Sequence, residues 1–199
     1  DEKKIVFAAS GFPEGASFDI GTQTFTWRPT YEHSGSYKVT FTLTDAAGAK
    51  DEAKITVNVN NINRNPLLAD MGLKEEDENK KLTFTVSGSD PDKEDQGKLT
   101  YSATNLPAGA SFDEKTATFN WMPSYEQSGN YQVAFTVKDS YSGSDSKEAT
   151  IRIKNVNRLP KTERIADKAV EENKEISFAV SAVDPDKEDE SKLLFSAFN

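Results

Sequence analysis

The 199 residues hold 33 acidic against 24 basic side chains, a net charge of −9 and a pI near 4.8, where a nucleic-acid surface would need a basic stripe. Cysteine is absent, which removes disulfides, zinc–thiolate sites and thiol catalysis together. Apolar content is 35%, and no run approaches the roughly 20 residues of a membrane-spanning helix, so no membrane insertion is expected in this segment.

Taken in chain order, the expected elements are all β-strands. Tyr37, Val39, Phe41 and Leu43 alternate with polar neighbours, the period of a half-buried strand, and Ile55, Val57 and Val59 follow in the same way. Further strands are expected near residues 67–73, 81–89, 98–104, 110–113, 116–121, 129–138 and 147–156, separated by turn segments such as Asp90-Pro91-Asp92, Pro107-Ala108-Gly109 and Ser142-Gly143-Ser144. Ile176, Phe178 and Val180 then repeat the pattern of Leu82, Phe84 and Val86.

That repetition has a constant period. Trp27 to Trp121, Pro29 to Pro123, Tyr37 to Tyr131, Asp45 to Asp139, Pro66 to Pro160 and Asp90 to Asp184 are each 94 residues apart, without insertion. A period this long signals an array of domains, because solenoid units are about 20–50 residues. The expected organisation is 1–62 as the later part of one repeat, 63–157 as a complete repeat and 158–199 as the beginning of the next. Short Asn- and Pro-bearing segments, Asn60 to Pro66 and Asn155 to Pro160, stand at the boundaries and predict semi-rigid joints. Seven short strands per repeat with turns between them predict an all-β fold of tandem seven-stranded Ig/cadherin-like β-sandwiches.

The longest motifs are Leu106-Pro107-Ala108-Gly109-Ala110-Ser111-Phe112-Asp113, Phe119-Asn120-Trp121-Met122-Pro123-Ser124-Tyr125 and the stretch from Gly129 to Asp139. The first repeat carries the same motifs as Phe18-Asp19, Trp27-Arg28-Pro29-Thr30-Tyr31 and Tyr37 to Asp45. They resemble the bacterial putative Ig repeat, also described as the dystroglycan-type cadherin-like domain. The resemblance covers essentially the whole chain. It implies a non-catalytic, extracellular or cell-surface protein.

The same resemblance implies calcium as cofactor at the repeat boundaries. Asp90-Pro91-Asp92 and Asp184-Pro185-Asp186 resemble the Asp-x-Asp element of cadherins, and Glu32 and Glu126 lie where cadherins place the Glu of an Asp-Arg-Glu element. Calcium takes six to eight oxygen ligands. The first boundary would gather Glu32, Asn61, Asn63, Asp90, Asp92 and Asp139, and the second Glu78, Glu126, Asn155, Asn157, Asp184 and Asp186. Two departures from cadherins leave alternatives open. Asn61 and Arg64, like Asn155 and Arg158, replace linker Asp residues, and Thr30 and Ser124 replace the Asp of the Asp-Arg-Glu element. An Arg fork can neutralise such carboxylates without metal, and a solvated acidic turn is the third reading. The stretch is not an EF-hand, since its sixth position is Asp95 and its twelfth Tyr101.

Other conspicuous residues have structural readings. Trp27 and Trp121 follow strand Phe residues and are expected in cores rather than as sugar platforms. His33 has Gln127 as its repeat counterpart, which argues against a catalytic or metal role. Asp19 and Asp113 are expected to bond turn amides, and Tyr141 is a candidate contact residue. The expected function is structural, with an adhesive role in view. A calcium-dependent adhesin segment binding a protein or glycan, or an accessory array beside an enzyme domain, are the alternatives. The expected partners are other copies of the chain or flanking repeats, head to tail. Residues 160–199 read as the early strands of a sandwich and 1–66 as the later ones, although 1–11 and 189–199 correspond to the same strand.

Overall fold

The structure, a computed structural model, describes residues 5–197. The expectation that 1–11 and 189–199 are equivalent strands therefore falls partly outside the described residues. The chain divides into two compact units: one gathers the residues up to Pro66 with Asp90–Leu99 and Asp139–Gly143, the other Leu67–Ser89, Thr100–Lys138 and the residues from Ser144 on.

The first unit is built on β1 (Val6–Ser10), β2 (Ser17–Asp19), β3 (Thr24–Thr26), β4 (Gly35–Thr44) and β5 (Lys50–Val59). They form one sheet in the order β1-β4-β5 and a two-stranded sheet β2-β3, all antiparallel. Alternation along β4 turns Tyr37, Val39, Phe41 and Leu43 toward the β2-β3 pair, where Phe41 meets the rings of Phe18 and Phe25 at 5.4 and 6.3 Å.

The second unit repeats this arrangement and adds to it. Its strands are β6 (Leu67–Leu68), β7 (Lys74–Asp77), β8 (Leu82–Thr85), β9 (Gly88–Ser89), β10 (Thr100–Thr104), β11 (Ser111–Asp113), β12 (Thr118–Trp121), β13 (Gly129–Lys138) and β14 (Ser144–Lys154), followed by β15 (Lys161–Thr162) and β16 (Ala182–Val183). The sheets run β10-β13-β14-β7 and β11-β12-β8, with β6-β9 and β15-β16 as short pairs. Trp121, Phe119, Val133, Phe135, Val137 and Ile151 are buried between the sheets. Tyr131 is half-buried on the same face, its ring 4.8 Å from that of Trp121 and its hydroxyl donating to Gln127 O.

Two expected strands are interrupted. The strand expected at 67–73 ends at Leu68, and the chain crosses sheets before β7, which lies parallel to β14. Gly72 in between has φ +60°, a left-handed conformation that leaves the strand geometry. The strand expected at 81–89 likewise divides into β8 and β9, and the first of these pairs with β12 while the second pairs with β6.

Candidate functional site: an arginine clasp and an oxygen cage

Within the first unit, Arg64 meets the turn that follows β9. Its backbone N–H donates to Asp92 Oδ2 at 2.6 Å and its Nε to Asp92 Oδ1 at 2.8 Å. The guanidinium also donates to Glu32 Oε1 at 3.1 Å and to Pro91 O at 2.6 Å, and it lies 4.8 Å from the centre of the Tyr31 ring. Within the second unit, Arg158 repeats every part of this. Its N–H and Nε reach Asp186 at 2.5 and 2.6 Å, its terminal nitrogen reaches Glu126 at 2.9 Å and Pro185 O, and it sits 4.9 Å over Tyr125. The Asp side chain is fully buried in both clasps and the Arg about a quarter exposed.

Each Asp carboxylate is thus held on both oxygens by one arginine, through its backbone N–H and its Nε, and a charge-assisted bond of this kind is stronger than a neutral one. The backbone N–H of Arg64, then its guanidinium, holds the Asp92 carboxyl below the ordinary value despite burial, and Arg158 does the same for Asp186. Glu126 is lowered by Arg158 and by Lys187, which stands 3.4 Å away. Lys93, the counterpart of Lys187, instead donates to the backbone oxygens of Glu32 and Ser34 at 2.8 and 3.3 Å.

Beside the first clasp, and sharing Asp92 with it, lies a second acidic arrangement. Asp90, Asp92 and Asp95 place carboxylate oxygens within 4.8 Å of one another. Asp90 Oδ1 accepts from Asp92 N at 2.7 Å, and Asp95 Oδ1 accepts from the N–H and hydroxyl of Ser140. The other oxygen of each, with Asn63 Oδ1 and Glu94 Oε2, is buried and has no hydrogen-bond partner. Burial, and then the neighbouring carboxylates, push the Asp90 carboxyl above its ordinary value. Asp139 closes the cluster: Oδ2 accepts from Asn63 Nδ2 at 2.8 Å and Oδ1 from the N–H of Tyr141 and Gly143. Burial raises this carboxyl, but those three donors outweigh it and leave it below the ordinary value. Gly143 is required here, since a Cβ at that position would run into the Asp139 carboxylate and the Asn63 amide. Asp45 makes the same turn with the N–H of Ala47 and Ala49, where no amide crosses and the Gly counterpart is Ala49.

The sequence-derived ligand sets are thus placed as follows. Glu32, Asn63, Asp90, Asp92 and Asp139 share the first cluster, with Asp92 and Glu32 given over to Arg64. Asn61 is half-buried and its Nδ2 has no partner. In the second unit Glu126 and Asp186 belong to the clasp, and Asp184 Oδ1 accepts from Asp186 N at 2.9 Å. Asn157 Nδ2 donates to Arg158 O at 3.2 Å, and Asn155 is exposed. Glu78 is buried elsewhere in that unit and spends both oxygens on backbone, accepting from Ser128 N at 2.7 Å and Val156 N at 3.0 Å. Asp95, Glu94 and Ser140 were outside the sequence-derived sets; the signal that points to two of them is the acidic run after Asp92, repeated as Glu188 and Asp189 after Asp186.

The remaining candidates are structural. Trp121, fully buried, donates to Ala108 O, and Trp27, half-buried, donates to Glu14 O. His33 Nδ1 accepts from Thr30 N at 3.0 Å, and Gln127 Oε1 does the same for Ser124 N at 2.8 Å. Asp19 and Asp113 accept turn amides, which hold both carboxyls below the ordinary value. Tyr141 is exposed.

The sequence model of the Putative Ig domain family matches residues 2–60 and again residues 65–154. The chain belongs to that family. Among solved structures, this Putative Ig domain chain is similar to repeats EC21-23 of human CDH23, with 21% identity and a TM-score of 0.63 over 91% of this chain and 68% of that one. It is also similar to protocadherin gammaB7 EC3-6, a cis-dimer structure, at 19% identity and a TM-score of 0.55 over 91% of this chain and 52% of that one. Two Bacteroides fragilis structures described as putative alpha-galactosidases match at 20% identity with TM-scores of 0.39, over 46% and 49% of this chain. The chain spans only 18% and 19% of their length. No curated protein matches the chain. The fold is Ig/cadherin-like. Among the described residues no helix is long and apolar enough to cross a membrane.

Proposed function

We propose that this is a structural segment, adhesive in its setting, of an extracellular or cell-surface protein. Residues 63–157 form one complete repeat, 1–62 and 158–199 belong to its neighbours, and further copies or flanking repeats are its partners. The observation that supports this reading is the recurrence of one clasp. Arg64 with Asp92, Glu32 and Tyr31 is repeated by Arg158 with Asp186, Glu126 and Tyr125, with matching bonds. A device that recurs at each repeat boundary braces the boundary; an active site has no reason to recur. Limited proteolysis tests it. Arg158→Ala should expose residues 155–160 to cleavage while leaving 60–66 protected, and equal protection in the variant would overturn the bracing role.

A calcium-braced version of the same function is favoured by one observation. Asp95, fully buried, has an oxygen without a partner, as do Asp90 and Asn63 beside it. Hard oxygens stranded in a desolvated cluster suit calcium. Asp90, Asp95, Asn63 and Asp139 would hold it, with Asp92 left to Arg64. Calorimetric titration with calcium should give one site, lost in Asp95→Asn; no heat at millimolar calcium would retire the metal.

A further inference from the structure

Asp92 stands in both arrangements of the first unit. Its side chain is fully buried, and both oxygens accept from Arg64, Oδ2 from the backbone N–H and Oδ1 from Nε. The same carboxylate lies within 4.8 Å, oxygen to oxygen, of Asp90 and Asp95. A carboxylate offers about four lone-pair sites, so lone pairs alone do not set one role against the other. What the two roles share is the negative charge. Arg64 also draws on more than Asp92, since its terminal nitrogen holds Glu32 Oε1 and Pro91 O. Three oxygen groups of the first unit are therefore turned toward one guanidinium.

Around Asp92 the cluster keeps oxygens that nothing satisfies. Asp95 is fully buried and its Oδ2 has no partner, and Asp90 Oδ2 and Asn63 Oδ1 are buried without one. Those stranded oxygens, and not the acidity of the segment, mark the place as a cation site. Asp139 is less available, because Asn63 Nδ2 and the N–H groups of Tyr141 and Gly143 already bond its carboxylate. Asp90, Asp95 and Asn63 thus supply fewer free oxygens than the six to eight that calcium takes. Affinity in such sites follows the number of charged ligands, and the adjoining carboxylate is Asp92.

We infer that Arg64 competes with calcium for Asp92 and so sets how tightly this cluster binds the ion. The inference rests on the calcium-braced reading and deepens it by naming the residue that governs affinity. A guanidinium stays protonated throughout the ordinary pH range, so the first unit carries one permanent cation on Asp92 and Glu32. That charge lies across a buried carboxylate from the stranded oxygens. Water screens it poorly there, and it opposes a second cation. With Arg64 neutral, Asp92 lends its full charge to Asp90 and Asp95, and Glu32 and Pro91 O are released. The fixed cation makes the clasp independent of calcium and leaves the cluster a weak site.

Calcium chloride titrated calorimetrically into the full chain reads the competition. The variants are Arg64→Ala and Arg64→Gln, the second keeping a neutral donor beside Asp92 so that the turn holds. Each should bind calcium about tenfold more tightly than the unsubstituted chain, the effect of removing one nearby charge. Asp92→Asn added to either variant should cancel that gain, because the carboxylate that Arg64 released is then gone. Melting of the first unit gives a second readout. Calcium should raise the melting temperature of Arg64→Ala by more than that of the unsubstituted chain, since tighter binding to the folded state stabilises it more. Unchanged or weaker affinity in both Arg64 variants would overturn the inference. So would a gain that survives Asp92→Asn, which would show general loss of charge and not competition for that carboxylate. Heat from no chain would remove the calcium reading and the inference with it. Heat in the unsubstituted chain, lost in Asp95→Asn but not improved by either Arg64 variant, would remove the inference alone.

Discussion

Phe25 and Phe119 occupy the same place in two sandwiches 94 residues apart, on strands with the same sequence pattern. Phe119 is completely buried, stacked on Phe84 at 4.9 Å, while Phe25 is half-buried and has no counterpart of Phe84 among the described residues. Val57 and Val59 stand half-buried where Ile151 and Ile153 are sealed. The contrast separates two things that an alternating pattern merges. Alternation decides which face of a strand is apolar, but cover depends on the strands that lie across it. With β7 and β8 in place the second sandwich closes, and among its described residues the first unit has no counterpart of either.

The largest effect should come from the sealed core. Phe119→Ala should cost the second unit about 3–5 kcal/mol, the usual loss for a fully buried aromatic ring, whereas Phe25→Ala should cost the first unit about half of that or less because part of the ring is already in water. Urea unfolding followed separately for the two units checks this.

Next come the clasps, which are alike in both units and so provide an internal control. Arg158→Ala strands the buried carboxylate of Asp186 and should lower the melting temperature of the second unit alone, while Arg64→Ala lowers that of the first. Arg→Lys should recover only part in either place, because an ammonium cannot reproduce the Nε bond together with the contacts to Glu and to the Pro carbonyl. A full recovery by Lys would show that charge, and not the fork, matters.

Much of this was legible in the residues, and the exceptions have identifiable causes. The strand containing Tyr131, Val133, Phe135 and Val137 shows clean alternation and forms one long strand, as expected. The break after Leu68 escaped because a residue adopting φ +60°, here Gly72, is compatible with several chain paths, and only the tertiary fold selects the sheet crossing. The acidic turns drew attention through Asp90 and Asp92, but Asp95 became part of the cage through a short 3-10 turn and Ser140, which lies 45 residues away. No local pattern links those positions. Glu78 was legible as a special residue, yet its partners Ser128 and Val156 are distant in sequence and identify it as a turn latch only once folded.

Acid should separate the two units further. Asp186 has a folded-state carboxyl below its unfolded value of about 3.9, so its contribution to stability is complete above that pH and disappears as pH falls through the lower folded value. Asp92 gives the first unit the same response, but Asp90 opposes it. Its carboxyl is raised by burial, so the folded state takes up that proton first and gains relative stability as pH falls through the raised value toward 3.9. Between neutral pH and about 4, the first unit should therefore gain stability relative to the second, and Asp90→Asn should abolish the gain. Parallel curves for both units in the unsubstituted chain would refute it.

The smallest effect concerns the one histidine. His33 and Gln127 stand at equivalent positions, and each accepts the backbone N–H three residues earlier, from Thr30 and Ser124. The Thr30 hydroxyl also bonds His33 Nδ1 and accepts from Glu32 N, closing the short 3-10 turn that leads into β4. What the turn needs is an acceptor at that height, which an amide oxygen supplies as well as a neutral ring nitrogen does. His33→Gln should therefore change the stability of the first unit by no more than about 0.5 kcal/mol. His33→Ala leaves the Thr30 N–H without its partner and should cost about 0.5–1 kcal/mol, the range for a lost cap. The ring also lies 5.5 Å from Trp27 at a steep angle, a packing contact that Gln would not reproduce. A His33→Gln loss equal to that of His33→Ala would shift the role of His33 from capping to ring packing, and would make the two turns equivalent in bonding but not in energy.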